Sequence, residues 1–290
     1  MKQCFVFFTR RIDWQNLPII KIIIRQLEGT ASVYVLSYVE NEKEDAPFDL
    51  DLGIEQLTVS RNTLTELFSH FPNKYSAQND WKIMPGNLDL AHLAFYLSKP
   101  DFDYYWFCED DVRYTDDFSN LLKNYSHSDA DLLATNIRPA RGNWGHTDSL
   151  RGIDENRLSQ PPIICFLPFF RVSKSFLDTL YKSYQAGVAG HHEISWPSIA
   201  ITEGLKLCDF NDANNVVYHS SPSKKGLSPG TFVFFPPRIF VGKEQGMLYH
   251  PVKNWKFVIQ RRFHYFVYNS YSLGRYYLRR MLRIIKPDKK

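Results

Sequence analysis

The stretch FDYYWFCEDDVRYTDDF, residues 102–118, decides the fold. Its apolar core, Tyr104 to Cys108, is too continuous for a half-exposed strand and reads as one buried on both faces. It runs straight into Glu109-Asp110-Asp111. Three adjacent carboxylates repel one another, and the mouth of a buried strand is a costly place for them. They are stable there only if positive charge meets them.

The segments around this stretch have the same alternation. QCFVFFT near the N-terminus reads as a buried strand that ends in Thr9-Arg10-Arg11. WQNLPIIKIIIRQLEG reads as a helix, with Asp13 as its cap and Gly29 as its stop. ASVYVLSYV and EQLTVS read as further strands, and TLTELFSHF as a helix. The acidic run from Glu40 to Asp51 reads as loop. MPGNLDLAHLAFYLSKP gives a helix with Leu88, Ala91, Leu93 and Phe95 as core contacts, ended by Pro100. TDDFSNLLKNY gives a helix with acids in its first turn, and ADLLATNI a strand. This order predicts an α/β fold: a mostly parallel sheet with helices on both faces. In such sheets ligands bind beyond the carboxyl ends of the strands, where both the acidic tripeptide and Thr9-Arg10-Arg11 fall.

The second half is less regular. PPIICFLPFFRVSKSFLDTLYKSYQ gives a strand and a helix, and GHHEISWPSIAITEGLKLCDF a loop, a short helix and a strand. The Gly- and Pro-rich run from Ser223 to Trp255 reads mostly as loop. The 290 residues, 44% hydrophobic, fit one large domain over 1–252, with a donor half to about 140 and an acceptor half from about 141. Residues 253–290 form a basic, aromatic, amphipathic tail expected to be helical.

Composition excludes several classes. The 22 Phe, 17 Tyr and 6 Trp argue against a disordered chain. Cys4, Cys108, Cys165 and Cys208 form no CxxC pair, so neither a zinc site nor a disulfide framework is expected, and buried free thiols are. No apolar run is long enough for a signal sequence or a membrane span, which predicts a cytoplasmic protein. The charge of +4 hides a split: the tail carries eleven Lys/Arg and one acid, Asp288, for +10, and the body is −6. That asymmetry predicts an anionic membrane face as the partner of 253–290, placing the protein on the inner face of the membrane. No nucleic-acid module accompanies it.

A hard divalent cation, Mn²⁺ or Mg²⁺, is the simplest counter-charge for the tripeptide, because such ions take oxygen ligands and keep part of their shell for substrate phosphates. YWFCEDDV after the helix GNLDLAHLAFYLSK resembles the nucleotide-sugar glycosyltransferases of the GT-A fold. Their DxD motif closes a strand and binds the metal of the donor. The form here is similar to the Glu-Asp-Asp variant of N-acetylglucosaminyltransferase I. The resemblance implies a Rossmann-like GT-A sheet, Asp111 as metal ligand, and Glu109 and Asp110 facing the ribose or sugar of the donor, a UDP-sugar first among nucleotide-diphosphate sugars. It also implies a carboxylate base near the acceptor. Glu193, after His191 and His192, is the candidate, which makes the reaction inverting. A late histidine completing the metal shell would be His250 in MLYHPVK, ahead of His219, with Lys253 near the diphosphate.

Thr9, Arg10 and Asn87 are the remaining donor candidates, at a strand end and a helix start. Trp144, His192 and Trp196 are candidates for contact with a glycan or lipid-linked acceptor, with RPARGNW as a mobile acceptor loop. The expectation is a metal-dependent glycosyltransferase of surface polysaccharide or glycoconjugate synthesis. A metal-dependent phosphohydrolase or nuclease, and a non-catalytic membrane-binding protein, are the alternatives.

Overall fold

The computed structural model describes residues 1–10, 12–39, 52–74, 87–140, 144–213, 216–220 and 230–260. The acidic run 40–51, Arg11, the centre of the RPARGNW loop and residues 261–290 of the tail lie outside them.

The first half contributes β1 (Gln3–Thr9), α1 (Leu17–Leu27), β2 (Ser32–Val39), β3 (Glu55–Ser60), α2 (Arg61–Phe68), α3 (Asp89–Ser98) and β4 (Tyr104–Glu109). A short β5 (Arg113–Tyr114), α4 (Phe118–Asn124) and β6 (Leu132–Pro139) follow. The second half adds β7 (Ile163–Ser173), α5 (Lys174–Gln185), α6 (His192–Thr202), β8 (Leu207–Asp209) and β9 (Leu248–Tyr249). The large sheet has the order β3-β2-β1-β4-β7-β6-β8. Only β7 runs against its neighbours, so the sheet is mostly parallel as the sequence predicts. Its place between β4 and β6 joins the two halves of the chain in one sheet. β5 and β9 form a separate two-stranded ribbon at the end of β4.

Successive side chains of a strand point to opposite faces, and both faces here are covered. Cys4, Val6 and Phe8 of β1 join Tyr105 and Phe107 of β4 under α2, α3, α5 and α6. Phe5 and Phe7 join Trp106 and Cys108 on the other face, under α1 and α4. This two-faced burial explains the unbroken apolar run before Glu109. Asp89 to Tyr96 of α3 are all buried, so this helix is enclosed rather than amphipathic. The four cysteines are free thiols, three of them buried.

Local chemistry sets the helix starts. Ser60 and Ser173 cap α2 and α5 by accepting from Thr63 N–H and Phe176 N–H. Asp117 is the cap of α4, accepting from Ser119 N–H at 2.7 Å, and no acid lies inside the first turn as the sequence suggested. Asp13 does not cap α1 either. It accepts from Gln15 and Asn16 N–H in the turn before the helix, whose N-cap is Asn16. Gly29 takes a left-handed φ of 70° just past α1, the conformation glycine adopts at least cost.

Candidate active site

A cavity of about 670 Å³ opens at the carboxyl ends of β4 and β6. Glu109 and Asp111 form one part of its wall, Asn136 and Arg138 another, and Ile164 to Pro168 of β7 a third. Because β7 is antiparallel, its first residues lie at the edge where its neighbours end.

The acidic tripeptide divides. Asp110 turns toward β1 and accepts from the Thr9 hydroxyl at 2.8 Å, and Asn16 donates to the same hydroxyl at 3.0 Å. Glu109 and Asp111 turn the other way and meet His250, and one ligand atom from each of the three lies within 4.8 Å of the others. His250 Nε2 is 3.3 Å from Asp111 Oδ1 and 3.7 Å from Glu109 Oε2. Its Nδ1 lies 2.8 Å from the Val233 carbonyl, to which it donates, so the ring is oriented with Nε2 toward the acids. Lys253 Nζ sits 2.7 Å from Asp111 Oδ2.

Burial raises the Glu109 carboxyl, and the nearby Asp111 charge raises it further against the pull of His250. Burial likewise raises Asp110, against Lys253. Asp111 goes the opposite way. Burial would raise it, but His250 and Lys253 outweigh that and hold it below the usual carboxylate range. Burial lowers His250, yet Asp111 and Glu109 prevail and push it up to about 9.

These residues fit a hard divalent cation. Asp111 Oδ1 is buried with His250 Nε2 3.3 Å away, and Glu109 Oε2 lies 3.7 Å from the same ring nitrogen. Two carboxylates converging in a buried place are costly without positive charge between them, and an oxygen-seeking ion supplies it. Two carboxylates and one imidazole held by a backbone carbonyl make a mixed oxygen and nitrogen set suited to Mn²⁺. Glu109, read from sequence as facing the donor, thus belongs to the metal-competent group.

Glu193 lies in the first turn of α6 and lines the same cavity. Burial, and then the charge of Glu109, raise its carboxyl to about 8. Its backbone N–H donates to His191 Nδ1 at 3.3 Å. The loop before it is fixed from two sides. Lys74, buried against Asp89 at 2.7 Å, donates to the Gly190 carbonyl at 2.9 Å. Gly190 has φ 140°, and a Cβ there would meet the backbone of Leu150 at 3.1 Å. His146, His191 and His192 stack in that order, with ring centroids 4.2 and 4.7 Å apart, and Trp144 meets His146 and His191 edge-on. Burial and the neighbouring imidazoles lower His191 to about 2, so the middle ring is neutral.

The other expectations divide. Trp144, His192, Glu193, His250 and Lys253 line the cavity with Glu109 and Asp111. Trp196 does not. It is 0% exposed, packs on Phe170 and Phe176, and donates from Nε1 to the Tyr184 hydroxyl, so it is a core residue and not an acceptor contact. Asn87 is absent from the wall, where Leu88 stands instead, and its amide oxygen accepts from Lys74 at 3.3 Å. Thr9 is buried and its hydroxyl is committed to Asp110, so it positions the strand end instead of presenting a donor contact. Arg10 is exposed beyond it. His219 faces Glu244 at 3.5 Å, outside the acidic group. His146 was missed from sequence, because its only signal was two residues' separation from Trp144. The Lys74–Asp89 pair left no local pattern at all.

No protein-family model and no curated protein matches the chain. Among solved structures it is similar to a glycosyltransferase involved in glycosylation of the major capsid of PBCV-1, at 10% identity and a TM-score of 0.32. That likeness covers 63% of this chain and 66% of the other. It is also similar to the inositol-1-phosphate CTP transferase of T. maritima, at 15% identity and a TM-score of 0.36, over 72% of this chain and 86% of the other. Neither likeness speaks to this chain's chemistry.

Proposed function

We propose that the protein is a metal-dependent glycosyltransferase that moves a sugar from a nucleotide-diphosphate sugar, a UDP-sugar first, to a hydroxyl of a glycan or lipid-linked acceptor with inversion. One observation carries this reading: a metal-competent group and a partly buried carboxylate of raised pKa share one cavity at the open edge of the sheet.

Glu109, Asp111 and His250 would hold the ion. When bound, Mn²⁺ or Mg²⁺ supplies positive charge against the diphosphate that leaves. Lys253, on the same wall, supplies a second positive charge from the chain itself. Thr9 and Asn16 hold Asp110 and so fix the turn that aims its two neighbours. Arg10 is left at the strand end for the nucleotide. Glu193 accepts the acceptor hydroxyl's proton as that oxygen bonds to the anomeric carbon and the carbon–phosphate oxygen bond breaks. Its raised basicity suits it to a proton that ordinary carboxylates take poorly. Trp144 and the histidine stack give an aromatic wall for a sugar ring.

A two-metal phosphohydrolase needs a second group of ligands, and among the described residues the Glu109 group is the one that could hold an ion. The non-catalytic reading leaves the cavity carboxylate of raised pKa and the metal-competent group without purpose. The tail 253–290 on an anionic membrane remains part of the proposal, for synthesis of a surface glycan at the inner face. The test is a melting-temperature screen of nucleotide sugars with and without Mn²⁺. A rise with one nucleotide sugar that requires Mn²⁺ supports the reading. No rise with any donor, with Mn²⁺ present, sinks it.

A further inference from the structure

We propose that the mouth of the cavity is itself a lipid-facing surface, which seats the protein on an anionic bilayer so that its acceptor arrives from the membrane. The lipid-borne acceptor rests on the glycosyltransferase reading; the bilayer contact does not.

Seven exposed apolar side chains gather in three segments of the chain. Trp14 is 78% exposed, Phe234 70% and Phe240 80%, with Phe235, Val241, Trp255 and Ile259 also in water. Single exposed apolar residues are ordinary, but a contiguous patch of them marks an interaction surface. The three segments touch. Arg238 N–H donates to the Pro251 carbonyl at 2.9 Å, and Lys253 N–H to the Arg238 carbonyl at 2.8 Å. Asn254 donates to the Gln15 side chain at 2.8 Å, which brings the Trp14 turn beside the helical turn 255–260. Trp255 and Ile259 are four residues apart, so they share one side of that turn. Phe234, Phe235 and Phe257 line the cavity, so this surface borders its mouth.

The charge of these segments selects the occupant. Lys243 and Lys256 are exposed in these segments, with Arg238 partly exposed. The acids are Asp13 and Glu244, and Glu244 faces His219. From 261 the sequence continues with nine Lys/Arg and one acid. Tryptophan and phenylalanine mixed with lysine and arginine suit the headgroup layer of an anionic bilayer, where rings enter the acyl boundary and cations meet phosphates.

The experiment uses the full chain and sedimentation with vesicles of phosphatidylcholine, alone or mixed with phosphatidylglycerol. The protein should bind the mixed vesicles roughly tenfold more tightly than the neutral ones. A triple variant, Trp14→Ser with Phe240→Ser and Trp255→Ser, should lose that binding by about tenfold or more while keeping the Mn²⁺-induced rise in melting temperature. Three results overturn the proposal: no preference for anionic vesicles, a triple variant that binds as the parent does, or lipid-free self-association abolished by the same substitutions. The last would make a second copy of the chain the occupant. Vesicle binding without sugar transfer to any acceptor would leave this inference standing and remove the glycosyltransferase reading.

Discussion

Lys253 Nζ lies 2.7 Å from Asp111 Oδ2, an ion pair that ties the chain after β9 to the end of β4. The lysine neutralises the acid that the proposed metal would also need. Lys253→Met should therefore bind Mn²⁺ several-fold more tightly, because a competing charge is gone. It should bind the donor more weakly, because the proposed contact to the diphosphate is lost with it. Calorimetric titration with Mn²⁺ alone and then with UDP checks both. Equal weakening of the two would show that Lys253 serves only to hold Asp111 in place.

His250→Ala removes the proposed nitrogen ligand, whose ring is oriented through the Val233 carbonyl. Mn²⁺ affinity should drop by ~10- to 100-fold. Asp111→Asn should lower it at least as far and abolish the Mn²⁺ dependence of donor binding, with the fold intact by circular dichroism. Activity that survives Asp111→Asn would remove the metal from the reaction.

Glu193→Gln keeps the size of the side chain and deletes the proposed base. Turnover should fall by ~10²- to 10⁴-fold while donor affinity stays within a few-fold of the parent. A matching loss of donor affinity would make Glu193 a structural residue.

The same substitution has a stability signature in the metal-free protein. Glu193 is raised to about 8 by burial and by the charge of Glu109. The folded state thus binds its proton more tightly than the unfolded chain, whose ordinary value is near 4.5. Between these values the parent loses stability as pH rises, and above about 8 the loss is complete. Gln carries no such burden. Melting curves from pH 5 to pH 9 should show Glu193→Gln gaining on the parent, and a constant gap would contradict the burial argument.

The two candidate tryptophans separate cleanly. Trp196→Ala opens a void among Phe170, Phe176 and His92 and should cost about 3–5 kcal/mol of stability. Trp144→Ala, on the cavity wall, should leave the melting temperature nearly unchanged and raise the acceptor KM. Thermal denaturation and steady-state kinetics on the pair distinguish core from site.

The fold was legible because its signal is local. Phe5 and Phe7 against Val6 and Phe8 report a strand buried on both faces, and the Pro100 stop and strand-helix alternation gave the order of elements. The direction of β7 was not legible, since an apolar run looks the same read toward either neighbour. At the site, Asp111, Glu193 and His250 stood out because a charge or imidazole beside an apolar run is conspicuous. Trp196 misled for the opposite reason: an aromatic after a polar loop looks the same whether its helix turns it outward or, as here, into the core. The histidine stack joins positions 146, 191 and 192, and Lys74 reaches Asp89 and Gly190 across long stretches of chain. Pairings of that kind exist only after folding.

The reversal of β7 also separates two kinds of change. Its opening residues, Ile164 to Pro168, build cavity wall, while its later ones, Phe169 to Val172, pair with β4 in the central sheet. The segment between β6 and β7 can therefore lengthen, shorten or exchange side chains while the strand pairing that aims Glu109 and Asp111 keeps its register. On the proposed reading, one scaffold is open to retuning by edits to a single connection, with the placement of Glu109 and Asp111 inherited intact.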